Sequence, residues 1–117
     1  MATITATLQL VSSDVSSDPL STKALTVTNP SVDIARQSVA TTGVFNILTT
    51  ANSSITYVYL KNADVTNIIT VKNDAGNTFL DLGPGEIAFF PVKGAVGLEA
   101  TANSAACVLE YGFWTKS

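Results

Sequence analysis

Apolar and polar residues alternate strictly along much of this chain, and that alternation constrains the fold more than any other feature. Residues 3–11 read Thr-Ile-Thr-Ala-Thr-Leu-Gln-Leu-Val, so Ile4, Ala6, Leu8 and Leu10 share one side while Thr3, Thr5, Thr7 and Gln9 share the other. Successive side chains take opposite sides in a strand, so this period predicts a half-buried β-strand. Leu25 and Val27 share a face in a second short strand, and residues 57–60, 67–72, 78–82, 87–92, 96–101 and 106–115 read as further strands. Residues 36–41 and 45–49 are weaker candidates. The stretch 30–45 is the least defined and is compatible with one helical turn around Val32 to Ala35.

The punctuation between strands is equally specific. Residues 12–19 are rich in Ser and Asp and predict a loop, and Asn29-Pro30 ends the second strand. Asp74-Ala75-Gly76-Asn77 lies between two apolar runs and predicts a hairpin in which Gly76 takes positive φ. Gly83-Pro84-Gly85-Glu86 predicts a type II turn, since Pro84 presets φ at the second position and Gly85 supplies positive φ at the third. About eight or nine strands at this spacing predict an all-β fold, an antiparallel β-sandwich or barrel. No linker or internal repeat divides the 117 residues, so 1–117 reads as a single domain.

Chemistry is constrained by what the chain lacks. It contains no His, which removes the commonest general base and metal ligand at neutral pH together with Ser-His-Asp and Cys-His arrangements. Cys107 is the single cysteine, so there is no intrachain disulfide and no soft-metal site; it lies in an apolar run and reads as a small buried hydrophobe. The nine acidic residues are spread singly, which gives no paired carboxylates. Asn73-Asp74-Ala75-Gly76-Asn77 lacks the further acids of a calcium loop, and no Lys-Ser/Thr follows Gly83-Pro84-Gly85 as a phosphate loop requires. Asn52-Ser53-Ser54 matches a glycosylation acceptor, which has meaning only in a secreted chain. The expectation is a protein that is not an enzyme, with no catalytic residues, cofactor or metal.

Function is therefore expected on surfaces. Charged residues make up only 13% of the chain and hydrophobic ones 46%, while about a quarter is Ser or Thr. A surface of hydroxyls and amides repels little and suits packing against other proteins. With a net charge of −3 and six scattered cations, nucleic acid is a poor partner. No run approaches 18 apolar residues and no basic leader precedes an apolar segment, so no membrane partner is expected, and the chain is expected to stay where it is made, in a cytoplasm.

On the last strand Cys107, Leu109, Tyr111 and Phe113 form the candidate core face, which leaves Trp114 on the outer one. If Val58 and Leu60 are core, Tyr57 and Tyr59 make an outward aromatic pair. Phe89 and Phe90 are adjacent, so one of them must face out and needs cover. Tyr57, Tyr59, Phe90 and Trp114 are the candidate interface residues, as aromatic anchors dominate many interfaces. The alternative is intramolecular: Trp114 packing over an end of the fold and the tyrosines packing across strands with their hydroxyls at the rim.

Three stretches then resemble a known family: Tyr57-Val58-Tyr59-Leu60-Lys61-Asn62, Asn67-Ile68-Ile69-Thr70-Val71, and Leu82-Gly83-Pro84-Gly85-Glu86-Ile87-Ala88-Phe89-Phe90-Pro91. The likeness continues from Ala100 to Trp114 through Glu110-Tyr111-Gly112-Phe113 and covers about half the chain. These residues resemble small virion proteins of tailed bacteriophages, particularly capsid decoration or cement proteins of the single jelly-roll type, including those of cyanobacterial phages. The resemblance implies a jelly roll of about eight strands, on the order expected from the strand spacing. It also implies a homotrimer on the capsid exterior that bridges major capsid protein subunits and stabilises the shell. A phage tail or fibre component binding host glycan through Tyr57, Tyr59 or Trp114 is the alternative. A cytoplasmic binding domain of cupin-like shape is a third.

Overall fold

The computed structural model describes residues 2–11, 20–28 and 34–117. The loop expected at 12–19 and the turn at Asn29-Pro30 lie outside the described residues, as do Val32 and Asp33 of the possible helical turn.

The described chain is all β. It holds ten strands, β1 (Ala2–Gln9), β2 (Leu20–Val27), β3 (Ala35–Val39), β4 (Phe45–Leu48), β5 (Thr56–Asn62), β6 (Ile69–Asn73), β7 (Thr78–Leu82), β8 (Ile87–Val92), β9 (Leu98–Ala102) and β10 (Cys107–Thr115). Every pairing is antiparallel. Eight strands form two four-stranded sheets of order β3-β10-β5-β8 and β4-β9-β6-β7, and β1 and β2 form a separate ribbon. The last residue of the possible helical turn, Ala35, opens β3, where it pairs with Tyr111. No helix long and apolar enough to cross a membrane occurs among the described residues.

Period-two alternation explains the core. In β5, Val58 and Leu60 are fully buried, and their cross-strand partners Phe113, Tyr111, Phe90 and Ala88 turn the same way. Ile69 and Val71 of β6, Leu82 of β7, and Leu98, Ala100 and Ala102 of β9 point inward from the second sheet. Together with Cys107 and Leu109 of β10 they make one apolar cluster drawn from both sheets. Cys107 and Leu109 are on the core face as expected, with Tyr111 and Phe113 packed against it. Phe45 of β4 meets Tyr111 of β10 edge-on at 5.4 Å, and Phe79 of β7 meets Phe90 of β8 at 6.3 Å, so aromatic pairs tie one sheet to the other.

The turns follow the sequence. Gly76 and Gly85 have φ of 85° and 74°. The Glu86 N–H donates to the Gly83 carbonyl at 3.1 Å, closing the Pro84-Gly85 turn, and the Glu86 carboxylate accepts from the Gly83 N–H. Two polar side chains, Thr56 and Asn62, are fully buried among the described residues. Asn62 donates to the carbonyls of Asn67 at 2.8 Å and Leu82 at 2.9 Å, and accepts from the Asp64 N–H at 2.9 Å. Every polar group it carries is thereby used, as burial demands. Asp64 in turn accepts from the N–H groups of Thr66 and Asn67, which hold its carboxyl below the usual range.

Candidate functional site

The outer faces of the two sheets differ in chemistry. On β4-β9-β6-β7 the outward positions include Asn46, Glu99, Thr101, Thr70, Lys72 and Asp81, with Thr70 donating to Asp81 at 2.8 Å. On β3-β10-β5-β8 they include Tyr57 and Tyr59 of β5, Ile87 and Phe89 of β8, and Trp114 of β10. Strand register sets these side by side. Trp114 lies opposite Tyr57, and Tyr57 opposite Pro91; Gly112 lies opposite Tyr59, and Tyr59 opposite Phe89.

Tyr57 points outward as expected but is only 8% exposed. Its ring stacks on Phe89 with centroids 6.2 Å apart and planes 17° apart, and Trp114 is its neighbour on the other side. It therefore supports the face more than it presents it. Tyr59 and Trp114 are half-buried on the same face. Of the adjacent phenylalanines, Phe89 is the outward one, 42% exposed. Phe90, the one named as an interface candidate, pairs with core residue Val58 and packs against the core, so the outward side chain is its neighbour. The reason is parity: β8 runs in register with β5, and Val58 faces in.

Gly112 has a steric task here. A Cβ at this position would lie 2.9 Å from Ile34 Cδ1 and 3.1 Å from Trp114 Cη2. Glycine lets both side chains lie across the strand as they do; a Cβ would make the end of Ile34 turn aside and the Trp114 ring give by a few tenths of an ångström.

A polar network crosses the same face. Glu110 Oε1 accepts from the Tyr59 hydroxyl at 2.9 Å, and Oε2 accepts from Arg36 Nε at 3.2 Å and Nη2 at 3.1 Å. The Tyr59 hydrogen bond and the Arg36 guanidinium hold the Glu110 carboxyl below its ordinary range, with Lys61 adding positive charge. Burial and the neighbouring carboxylate push the Tyr59 phenol up. Burial likewise raises the Cys107 thiol, which lies in the core.

The β1–β2 ribbon stands over this face. Its register puts Ile4 opposite Leu25, Ala6 opposite Lys23 and Leu8 opposite Ser21, all on one side. Thr3, Thr5, Thr7, Thr22, Ala24 and Thr26 occupy the other, where the Thr7 and Thr22 hydroxyls are 3.3 Å apart. The ribbon joins the sheet at its base. Val27 bridges Lys116, the Thr28 N–H donates to the Thr115 carbonyl at 3.0 Å, and the Ser117 N–H to the Thr26 carbonyl at 3.0 Å. Between ribbon and sheet lies a cleft of about 680 Å³ lined by Ile4, Leu8 and Lys23 on one wall and by Ile34, Tyr59, Ile87, Phe89, Glu110 and Trp114 on the other.

Two of the four aromatic candidates, Tyr59 and Trp114, thus meet in one cleft, with Tyr57 supporting from the side. Ile34, Ile87 and Gly112 were not singled out by sequence reasoning, nor was the pairing of the first two strands into a ribbon, and Phe89 entered only as one of an adjacent pair of which one must face out. Period two marks their alternation but does not say which elements share a face. Among the described residues no group of three or more His, Cys, Asp or Glu side chains stands close enough to hold a metal ion. The arrangement offers apolar and aromatic contact area around one engaged carboxylate. No protein-family model, curated protein or solved structure matches this chain.

Proposed function

We propose that this chain is a virion structural protein of a tailed bacteriophage, a capsid decoration protein that binds the outer surface of the major capsid shell as a homotrimer and stabilises it. The observation that carries the reading is the outward aromatic and apolar face of β3-β10-β5-β8, on a chain whose surface has little charge. Such a face fits contact with other proteins. The resemblance of residues 57–114 to decoration proteins supplies the identity of the partner.

The proposed fold is a single jelly roll. Its support is the nesting of strand pairs: β3 with β10, β4 with β9, β5 with β8 and β6 with β7. That is one long hairpin, and rolling it brings β10 against β5 and β9 against β6. Two Greek keys in two facing sheets result, the arrangement of a jelly roll.

In this role no bond is made or broken. A trimer engages three equivalent sites, so weak single contacts combine through effective concentration. Binding only the assembled shell stabilises that shell by mass action. The test is to mix purified protein with undecorated capsids and image them. Specific density over three-fold positions, at a copy number comparable with the shell lattice, is the expected result. A handful of copies per particle would remove the reading.

One observation favours the second reading, a tail or fibre module that binds host glycan. Tyr59, Phe89 and Trp114 line one cleft beside the Glu110 carboxylate, and aromatic faces with polar neighbours suit a sugar ring. Glycan-dependent quenching of Trp114 fluorescence, and loss of adsorption on Trp114→Ala, are its tests.

A further inference from the structure

The cleft between ribbon and sheet is apolar at one end and cationic at the other, and strand register sets the order. The base lies where Val27 bridges Lys116. Stepping away from it, the outward rows of the sheet are Trp114 with Tyr57, then Gly112, Tyr59 and Phe89, then Arg36, Glu110, Lys61 and Ile87. Ile34 lies against Gly112 in the middle row. On the ribbon the same steps are Ile4 with Leu25, Ala6 with Lys23, and Leu8 with Ser21. The base is therefore lined by Ile4, Ile34, Phe89 and Trp114. Away from it stand Lys23, Arg36 and Lys61, half of the chain's six cations, and Glu110 is the one acid among the described lining residues.

The polar groups of the two walls differ in how they are engaged. On the sheet wall Glu110 accepts from Tyr59 and from Arg36, so neither of its oxygens is idle. On the ribbon wall Ser21 and Lys23 are two residues apart on β2 and share a side, and neither has a partner among the described residues. An occupant that suits this cleft brings one negative group for Lys23 and Ser21 and an apolar body for the base. A sugar would find few free partners for its hydroxyls beside Ile4, Ile34 and Phe89, and unpaired polar groups are costly there.

We propose that the cleft binds a single-chain amphipathic anion, a long-chain carboxylate whose head meets Lys23 and Ser21 and whose chain runs towards Trp114. This goes beyond the shell contact proposed above and stands without it. The cleft of about 680 Å³ falls within the ~300–1,000 Å³ of small-molecule sites, which are likewise mostly apolar with a few placed polar groups. Ser21 to Leu25 spans roughly 13 Å of strand at ~3.3 Å per residue. A staggered carbon chain covers that length in about ten carbons. The excess of cations at the outer end draws the head there, and burial of methylene groups draws the chain to the base.

Trp114 is the chain's single tryptophan, so its fluorescence reports on the base of the cleft. The full chain is titrated with octanoate and decanoate below their micelle concentrations, by fluorescence and by calorimetry. Decanoate should move the Trp114 emission to the blue, and affinity should rise roughly 3-fold per added methylene. Decyltrimethylammonium should bind at least ~10-fold more weakly, since it brings the wrong charge. Lys23 is exposed, and Lys23→Gln should weaken decanoate at least ~5-fold while leaving decanol unaffected. Ile34→Ser, also at an exposed position, should weaken both ligands alike. No response at about 1 mM decanoate, equal binding of the cationic amphiphile, or unchanged decanoate affinity in Lys23→Gln would overturn the inference. So would maltose that shifts Trp114 where decanoate does not, which assigns the cleft to glycan, or anionic vesicles that bind where monomeric decanoate does not, which assigns it to a membrane surface.

Discussion

The outer faces of the two sheets share a backbone architecture and differ in what they ask of their surroundings. On β4-β9-β6-β7 the paired outward residues are Thr, Asn, Lys, Glu and Asp, each at ease in water, and Phe79 beside the register shift in β7 is the exposed exception. On β3-β10-β5-β8 they include two tyrosines, Ile87, Phe89 and Trp114, around the ion pair of Arg36 and Glu110. Both sheets bury their inner faces in one common cluster. The core is thus complete without the aromatic face, so that face represents apolar surface beyond what holding the two sheets together requires. The difference places aromatic and apolar surface on one side of the molecule and mainly polar surface on the other.

The largest expected effect that sharpens this contrast is at Tyr57. It is nearly buried between Phe89, Pro91 and Trp114, so Tyr57→Ala should destabilise the fold by ~3 kcal/mol, read by urea denaturation. A loss as small as that of an exposed polar residue would mean that the aromatic face is not packed. Gly112→Ala comes next. Its Cβ would press on the end of the exposed Ile34 side chain, which can turn aside, and on Trp114, so the variant should lose no more than ~1 kcal/mol while its Trp114 fluorescence maximum shifts.

A smaller effect is tied to pH. The Glu110 carboxyl is held below its ordinary value of 4.5, so its contribution is present above the unfolded-state pKa and is lost as pH falls through the folded one. Wild type should exceed Glu110→Gln in stability at neutral pH, and the gap should close in acid. The Tyr59 phenol should ionise above 10 and shift back towards it in the variant, an outcome that ultraviolet titration reads. The smallest effect belongs to the polar face. Thr70→Ala removes one exposed hydrogen bond to Asp81 and should change stability by no more than ~0.5 kcal/mol.

Some of this is legible in the amino-acid sequence. Cys107 and Leu109 read as core because alternation in a strand leaves only two sides, and the longer apolar set is on theirs. The turns at Gly76 and Gly85 read correctly because positive φ at those points follows from local sterics. The adjacent pair Phe89 and Phe90 is different. Alternation says that one faces out, but which one depends on how β8 registers against β5, a contact between residues far apart in the sequence. Tyr57 is similar: its outward direction follows from Val58 and Leu60, whereas its burial comes from Phe89 and Trp114 on two other strands. The role of Gly112 is hidden because it depends on Ile34, whose position follows from β3 lying next to β10.

By itself, the sequence determined an all-β chain with period-two strands, sharp turns at its glycines and no histidine chemistry. These are properties of single residues and their immediate neighbours, set by backbone sterics and side-chain type. Only the tertiary structure decided the order of strands in each sheet, which aromatic residue points to solvent, and that the ribbon stands over the aromatic face and leaves a cleft. Those outcomes come from pairings across long stretches of chain, where many registers satisfy the same alternation and packing selects among them.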